Sequence, residues 1–204
     1  GCIVGPSLAL AQSPQPEEST GRGQNQLSHA SRHMVAAAHP DAVHAGLETL
    51  NRGGSAADAA IAVQLVLNLV EPQSSGIGGG AFALFHDAGS SDTVAYDGRE
   101  TAPQGIKPDH FLKPDGSPLP FRDAVLGGHS VGTPGTLALL AALHRAHGKL
   151  PWADLFKPAI RLSKDGFTVG PRLAAMLAGP RAERLKTFAA TRNYFFPGGT
   201  PLAA

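Results

Sequence analysis

The sequence predicts an α+β fold, rich in helix with a few strands. Three observations predict it. Residues 56–70 are apolar almost all round the helical period. A strand–turn–strand pattern follows over 81–97. From residue 133 onward, helix-start signals alternate with apolar runs at helical spacing. The balance of 17 basic and 16 acidic side chains leaves a formal charge of +1, which gives no electrostatic reason for a nucleic acid partner. Hydrophobic residues make up 42%, enough for a core. A single cysteine, Cys2, excludes a disulfide scaffold.

The elements follow in chain order. Residues 1–11 end in Ala9-Leu10-Ala11 and read as the tail of a secretory signal peptide, with cleavage before Gln12. Cys2 as a lipid-modified residue is the weaker alternative. Residues 12–33 are polar and read as a flexible leader. The folded part is expected over 34–204. Met34 to Ala38 is a short apolar run, read as a strand. Pro40 suits the first turn of a helix reaching about Asn51, with Val43, Leu47 and Leu50 at helical spacing and Gly53-Gly54 as its stop.

Ser55 and Asp58 resemble a capping box for the apolar helix 56–70, in which Asp58, Gln64 and Asn68 are the polar exceptions. Such a helix is expected at the centre of a core. At about 1.5 Å per residue it is too short to cross a hydrocarbon layer of about 30 Å, so no membrane span is expected. Glu71-Pro72 stops it. Strands over 81–86 and 93–97 read as a hairpin. Loop chemistry dominates from Arg99 to Gly128. Helices are then expected to open at Thr133-Pro-Gly-Thr136 and reach about His147, to run from Pro151 to about Lys164, and last to run from about Pro171 to Leu177. There is no initiator Met, and residues 198–204 stop just after a turn signal, so the expectation is the front portion of a longer protein.

Four motifs bear on chemistry. Gly76 to Gly80 resembles a phosphate loop, but a helix precedes it and a strand follows, the reverse of the phosphate-cradling order. It reads as a tight turn. Gly128-His-Ser-Val-Gly132 matches the nucleophile elbow G-x-S-x-G. An elbow needs a buried strand before the serine and a helix directly after it, and Pro134-Gly135 delays the helix here. Ser130 therefore reads as a loop residue, with a serine hydrolase as a rival reading. The nine histidines lack metal-ligand companions, and His144 and His147 read as residues on the polar side of a helix near its C-terminus, so no metal is expected. Asp97-Gly-Arg-Glu100 places an arginine between two acids where a strand leaves its sheet. A guanidinium pairs with a carboxylate through two parallel bonds, and flanking acids would hold it in one orientation. A surface ion cluster of little energetic worth fits the same spacing.

Together these runs resemble the gamma-glutamyltransferase (gamma-glutamyltranspeptidase) family. They are Gly53-Gly-Ser-Ala-Ala-Asp-Ala-Ala60, Glu71-Pro72, Ser75-Gly-Ile-Gly-Gly-Gly80, Asp97-Gly-Arg-Glu-Thr-Ala-Pro103, Gly132-Thr-Pro-Gly135, Gly148-Lys-Leu-Pro-Trp152, Pro158-Ala-Ile160 and Asp165-Gly-Phe167. The resemblance covers Met34 to the C-terminus and corresponds to the N-terminal part of that family's large subunit. It implies an N-terminal-nucleophile hydrolase with an αββα sandwich, of which these residues form the helix-rich front portion. It implies a precursor that cleaves itself into large and small subunits that then pair. A threonine at the start of the small subunit, beyond residue 204, is the nucleophile, and the oxyanion donors lie there too. The implied reaction moves a gamma-glutamyl group from glutathione or a related donor to water or an acceptor amino acid or peptide, without a cofactor. Within these residues the resemblance assigns one substrate contact, Arg99, to the donor α-carboxylate, with Asp97 and Glu100 as its supports. The 204 residues alone are expected to be inactive. The remaining rivals are a same-family acylase with another acyl donor and a non-catalytic gamma-glutamyl-binding module. The expected location is periplasmic or secreted.

Overall fold

The computed structural model describes residues 27–204. The signal-peptide tail at 1–11, Cys2 and most of the leader lie outside the described residues. Met34 to Ala38 is not a strand. It runs into the first helix without pairing to either strand of the sheet.

Helix α1 spans Pro40–Asn51. Its Pro sits in the first turn, where a missing N–H costs nothing. Gly53 ends it with φ of 88°, and the Gly54 N–H closes onto the Thr49 carbonyl at 3.0 Å. The buried face of α1 is Ala42, Ala45, Gly46 and Thr49 rather than the larger Val43, Leu47 and Leu50. Small residues win because α1 lies close against the next helix. A Cβ on Gly46 would stand 2.7 Å from Val63 Cγ2.

Helix α2 spans Ala56–Val70, as its sequence predicts, and opens with the complete capping box. The Asp58 N–H donates to Ser55 Oγ at 3.1 Å, and the Ser55 N–H donates to Asp58 Oδ2 at 2.9 Å. Apolar residues all round let α2 serve two cores at once. One face packs Ala62, Val66 and Val70 against Ala42 and Ala45 of α1. The other packs Ala57, Ile61 and Leu65 against Leu139, Leu140, Leu143 and Leu155.

Strands β1 (Ala81–Asp87) and β2 (Asp92–Gly98) pair antiparallel, with Phe82 opposite Asp97 and Leu84 opposite Ala95. Alternation sends Ala81, Ala83, Phe85 and Tyr96 toward the core. It leaves Phe82 67% and Leu84 79% exposed on the outer face. A short helix α3 (Phe121–Ala124) interrupts the long loop after β2.

Helix α4 (Thr136–His147) packs on the inner face of the hairpin. His144 and His147 do not line a solvent-facing polar side as their spacing suggests. The His147 ring stacks on Phe85 at 3.7 Å, and its Nε2 is 2.7 Å from the Tyr96 hydroxyl. His144 Nε2 donates to the Leu150 carbonyl at 2.8 Å. Both rings face the hairpin and the following loop because α4 turns that side inward. The helix expected from Pro151 begins as a 3-10 turn (Trp152–Phe156) and continues as α5 (Lys157–Asp165). Helix α6 spans Pro171–Ala178. It is not the last, since α7 (Ala189–Phe195) follows. Leu173, Leu177, Ala182 and Phe196 close a third, smaller core there. Among the described residues, no helix is long and apolar enough to cross a membrane.

Candidate functional site

The site is built where β2 leaves the sheet. Asp97 and Gly98 end the strand, and Arg99 and Glu100 follow it outward. The Arg99 backbone N–H donates to Asp97 Oδ1 at 2.9 Å. Asp97 thus shapes the turn that aims Arg99 rather than gripping the guanidinium. The charged neighbour of the guanidinium is Glu100, with Arg99 Nε 3.5 Å from Oε2. The Arg99 side chain is 71% exposed and that of Glu100 is 34% exposed.

Glycines from separate motifs make this arrangement possible. Loop 76–80, the strand exit 98–101 and the segment 132–135 press together with almost no space between them. A Cβ on Gly80 would meet Glu100 Oε2 at 2.5 Å and its backbone N at 2.8 Å. One on Gly132 would meet Glu100 Cβ at 2.9 Å, and one on Gly135 would meet the Gly98 carbonyl oxygen at 2.2 Å. Real Cβ atoms cannot approach a backbone atom so closely, so the packing itself demands glycine. The three segments are also hydrogen-bonded. The Gly79 carbonyl accepts from the Gly135 and Thr136 N–H groups at 3.0 and 3.1 Å. Thr101 and Thr133 form an antiparallel bridge. The Glu100 side chain therefore lies in a slot of glycines, and Arg99 stands beside it at the surface.

Two clefts flank the pair. Arg99, Asp97, Tyr96 and Thr133 border one of about 330 Å³. Glu100, Gln64, Ser75 and the glycine turn border another of about 400 Å³. The Arg99 cation, facing the first cleft, can receive a ligand's carboxylate, while the Glu100 anion facing the second suits a cationic or hydrogen-bond-donating group. Gly76 to Gly80 is a turn between a helix and a strand, as its order predicts. It packs against Glu100 instead of cradling phosphate.

Ser130 lies elsewhere. It ends a 3-10 turn (Gly127–Ser130), and its hydroxyl donates to the Val125 carbonyl at 3.2 Å. The neighbouring His129 ring faces His110, with Nδ1 and Nε2 3.0 Å apart. Among the described residues, no strand leads into Ser130 and no base engages its hydroxyl. Among the described residues, no group of three or more His, Cys, Asp or Glu is placed to hold a metal ion.

One carboxylate is more important structurally than its place in a capping box suggests. Asp58 is fully buried, and its Oδ2 also accepts from the Lys149 and Leu150 N–H groups at 2.8 and 3.1 Å. Burial works to raise its pKa. The N–H groups of Ser55, Lys149 and Leu150 and the Ser55 hydroxyl outweigh that and hold the carboxyl below its ordinary value. An acid inside an otherwise apolar helix is the sequence signal for such a clasp.

The Gamma-glutamyltranspeptidase family model matches residues 42–204. Over 169 residues the chain is 41% identical to a glutathione hydrolase proenzyme of Bacillus subtilis (strain 168), covering 83% of this chain and 28% of that protein. The fold is similar to the Helicobacter pylori gamma-glutamyltranspeptidase crystal structure with a TM-score of 0.80 and 32% identity, over 87% of this chain and 50% of that one. It is also similar to a cephalosporin acylase from Bacillus halodurans, with a TM-score of 0.69 and 30% identity, over 90% of this chain and 36% of that one. The chain thus spans between about a quarter and a half of the length of these proteins.

Proposed function

The chain belongs to the gamma-glutamyltranspeptidase family, and from that premise we propose that it forms the front part of a gamma-glutamyltransferase and glutathione hydrolase precursor. The observation that carries this reading is the strand-end pair. Glycines from two motifs, Gly80 and Gly132, converge to seat Glu100, and the strand exit beside it presents the Arg99 guanidinium at the surface. In the proposed reaction Arg99 takes the donor α-carboxylate through its planar fork. The gamma-carbonyl is thereby aimed at a threonine supplied by a segment outside these residues. That threonine is a poor nucleophile until a nearby base, its own α-amino group, accepts its proton. The threonine oxygen adds to the gamma-carbonyl, the donor's amide C–N bond breaks and its amine leaves with the proton held by the base, and the resulting acyl-enzyme then yields its gamma-glutamyl group to water or to an amine acceptor. The family's cleavage into two paired subunits would place the threonine at a new N-terminus. The apolar stretch ending at Ala11 supports export, so the proposed location is periplasmic or secreted.

The test is Arg99→Ala in the complete enzyme. Arg99 is 71% exposed in these residues, so the full magnitude requires the donor and the rest of the enzyme to close over the pair; removing one partner of a pair buried in that way costs about 2–5 kcal/mol. At 1.36 kcal/mol per decade, kcat/KM should fall roughly 30- to several thousand-fold. Arg99→Lys should recover only part, since an ammonium lacks the fork. A donor analogue without the α-carboxylate should react slowly with wild type and lose little more on mutation. Equal slowing of both donors would make Arg99 a structural residue. The likeness to a cephalosporin acylase supports a second reading, an acylase acting on another acyl group. Faster turnover of a carboxylate-free acyl donor than of a gamma-glutamyl donor would favour it.

A further inference from the structure

Asp58 caps α2, but its other polar residues, Gln64 and Asn68, take no part in the capping box, and both are only partly buried. Gln64 Nε2 donates to Ser75 Oγ at 2.7 Å and to Asn68 Oδ1 at 2.9 Å, and the Ser75 hydroxyl donates to Asn68 Oδ1 at 2.7 Å. This closed triangle ties the side of α2 to Ser75, the residue just before the glycine turn. The turn then carries the constraint onward. Gly79 hands its carbonyl to the N–H groups of Gly135 and Thr136, and Gly80 lies against the Glu100 carboxylate. Glu100 in turn is the charged neighbour of Arg99.

We propose that Gln64, Asn68 and Ser75 are positioning residues for Arg99, acting through the glycine turn and Glu100. The inference rests on the reading of Arg99 as the contact for the donor α-carboxylate. The physical case is one of rigidity. Gly76 and Gly78 have nothing within 4 Å of where a Cβ would stand, so that part of the turn has open space around it. A glycine turn without side-chain contacts holds its shape poorly, because glycine has the most conformational freedom to lose. The Ser75 anchor at one end and the Gly79 carbonyl bonds at the other fix it from both sides. Without the anchor, the slot wall at Gly80 would relax and Glu100 would lose its fixed place. A catalytic group displaced by about 1 Å can cost about a hundredfold in rate.

The experiment uses the complete enzyme and two donors, one with the α-carboxylate and one without. Ser75→Ala removes the hydroxyl common to two of the three bonds. It should raise KM for the carboxylate-bearing donor and lower its kcat/KM by roughly tenfold, the worth of about one net hydrogen bond lost from an ordered network. The carboxylate-free donor should change by less than about twofold, and Ser75→Thr, which keeps the hydroxyl, should restore most of the loss. In an Arg99→Ala background Ser75→Ala should have no further effect, because residues acting through one contact are not additive. Full additivity in that background, equal slowing of both donors, or no change in Ser75→Ala each overturns the proposal. If Arg99→Ala alone slows both donors equally, the reading of Arg99 itself fails. If Arg99→Ala is selective and Ser75→Ala is not, only the positioning role fails.

Discussion

Asp58→Ala should open the junction between the entry of α2 and the loop after α4. The carboxylate is fully buried and its Oδ2 holds three N–H donors, from Ser55, Lys149 and Leu150, at 2.8–3.1 Å. Hydrogen bonds to a charged group contribute about 1.5–3 kcal/mol each. The bonds from Lys149 and Leu150 are the two that tie the loop to α2, which sets the cost of opening the junction near 3 kcal/mol at the lower figure. That equals roughly a 150-fold shift in the local opening equilibrium, at 1.36 kcal/mol per decade. Hydrogen exchange read at the amides of Lys149 and Leu150 in the complete protein would measure it, since exchange reports local opening free energies. Asp58→Asn keeps an acceptor but loses the charge, and should show about a tenfold effect, as when a charge-assisted bond becomes a neutral one of about half the strength.

The sign with pH follows from the lowered pKa. A carboxyl whose folded pKa lies below its unfolded value of about 3.9 stabilises the fold fully above that value and loses the contribution as pH falls through the folded pKa. The difference between wild type and Asp58→Asn should therefore shrink as pH falls below about 4. Exchange in Asp58→Ala within twofold of wild type would refute the clasp. A difference that grows as pH falls below about 4 would refute the direction of the pKa shift, whereas growth at higher pH would report protonation of His144, whose Nε2 stands 3.8 Å from Asp58 Oδ1.

Two further perturbations test the site's surroundings. Ser130→Ala in the complete enzyme should leave kcat within a few-fold of wild type, because the hydroxyl only donates to the Val125 carbonyl. A loss of about 10⁴-fold, the scale of a missing triad nucleophile, would revive the serine hydrolase reading. Gly135→Ala should lower the thermal midpoint and the donor kcat/KM together, since its Cβ would stand 2.2 Å from the Gly98 carbonyl oxygen and neither backbone can give way locally. The expected cost is about 1–3 kcal/mol for forced overpacking. Gly76→Ala, with nothing within 4 Å, should stay within about 0.5 kcal/mol. Equal shifts in the two variants would show that the close approach does not limit stability.

Local chemistry was enough to locate α2 and the hairpin. Ser55 and Asp58 mark where α2 begins, Glu71-Pro72 where it ends, and alternation over Ala81 to Asp97 marks the strands. These signals act within a few residues, so no distant contact is needed to read them. The strand-end motif with Arg99 was legible in the same way, as residue types at a fixed spacing. Its support was not. Gly80, Gly132 and Gly135 read as turn residues one by one, and only the fold shows that they leave room for the same few atoms of Gly98 to Glu100. The hydrophobic pattern also misjudged partners. Met34 to Ala38 is apolar but pairs with neither sheet strand, and α1 buries alanines rather than Val43 and Leu47 because α2 lies so close. His144 and His147 look like surface residues until α4 turns them toward Leu150 and Tyr96. Helix α7 has no side-chain N-cap bond to announce it, and it is placed by Phe196 packing with Leu173 and Leu177. Periodicity and caps are written over one or two turns of chain. Close approach, burial of one face over another, and the meeting of residues 20 to 90 positions apart depend on how whole elements pack, and side-chain volume settles that only once they meet.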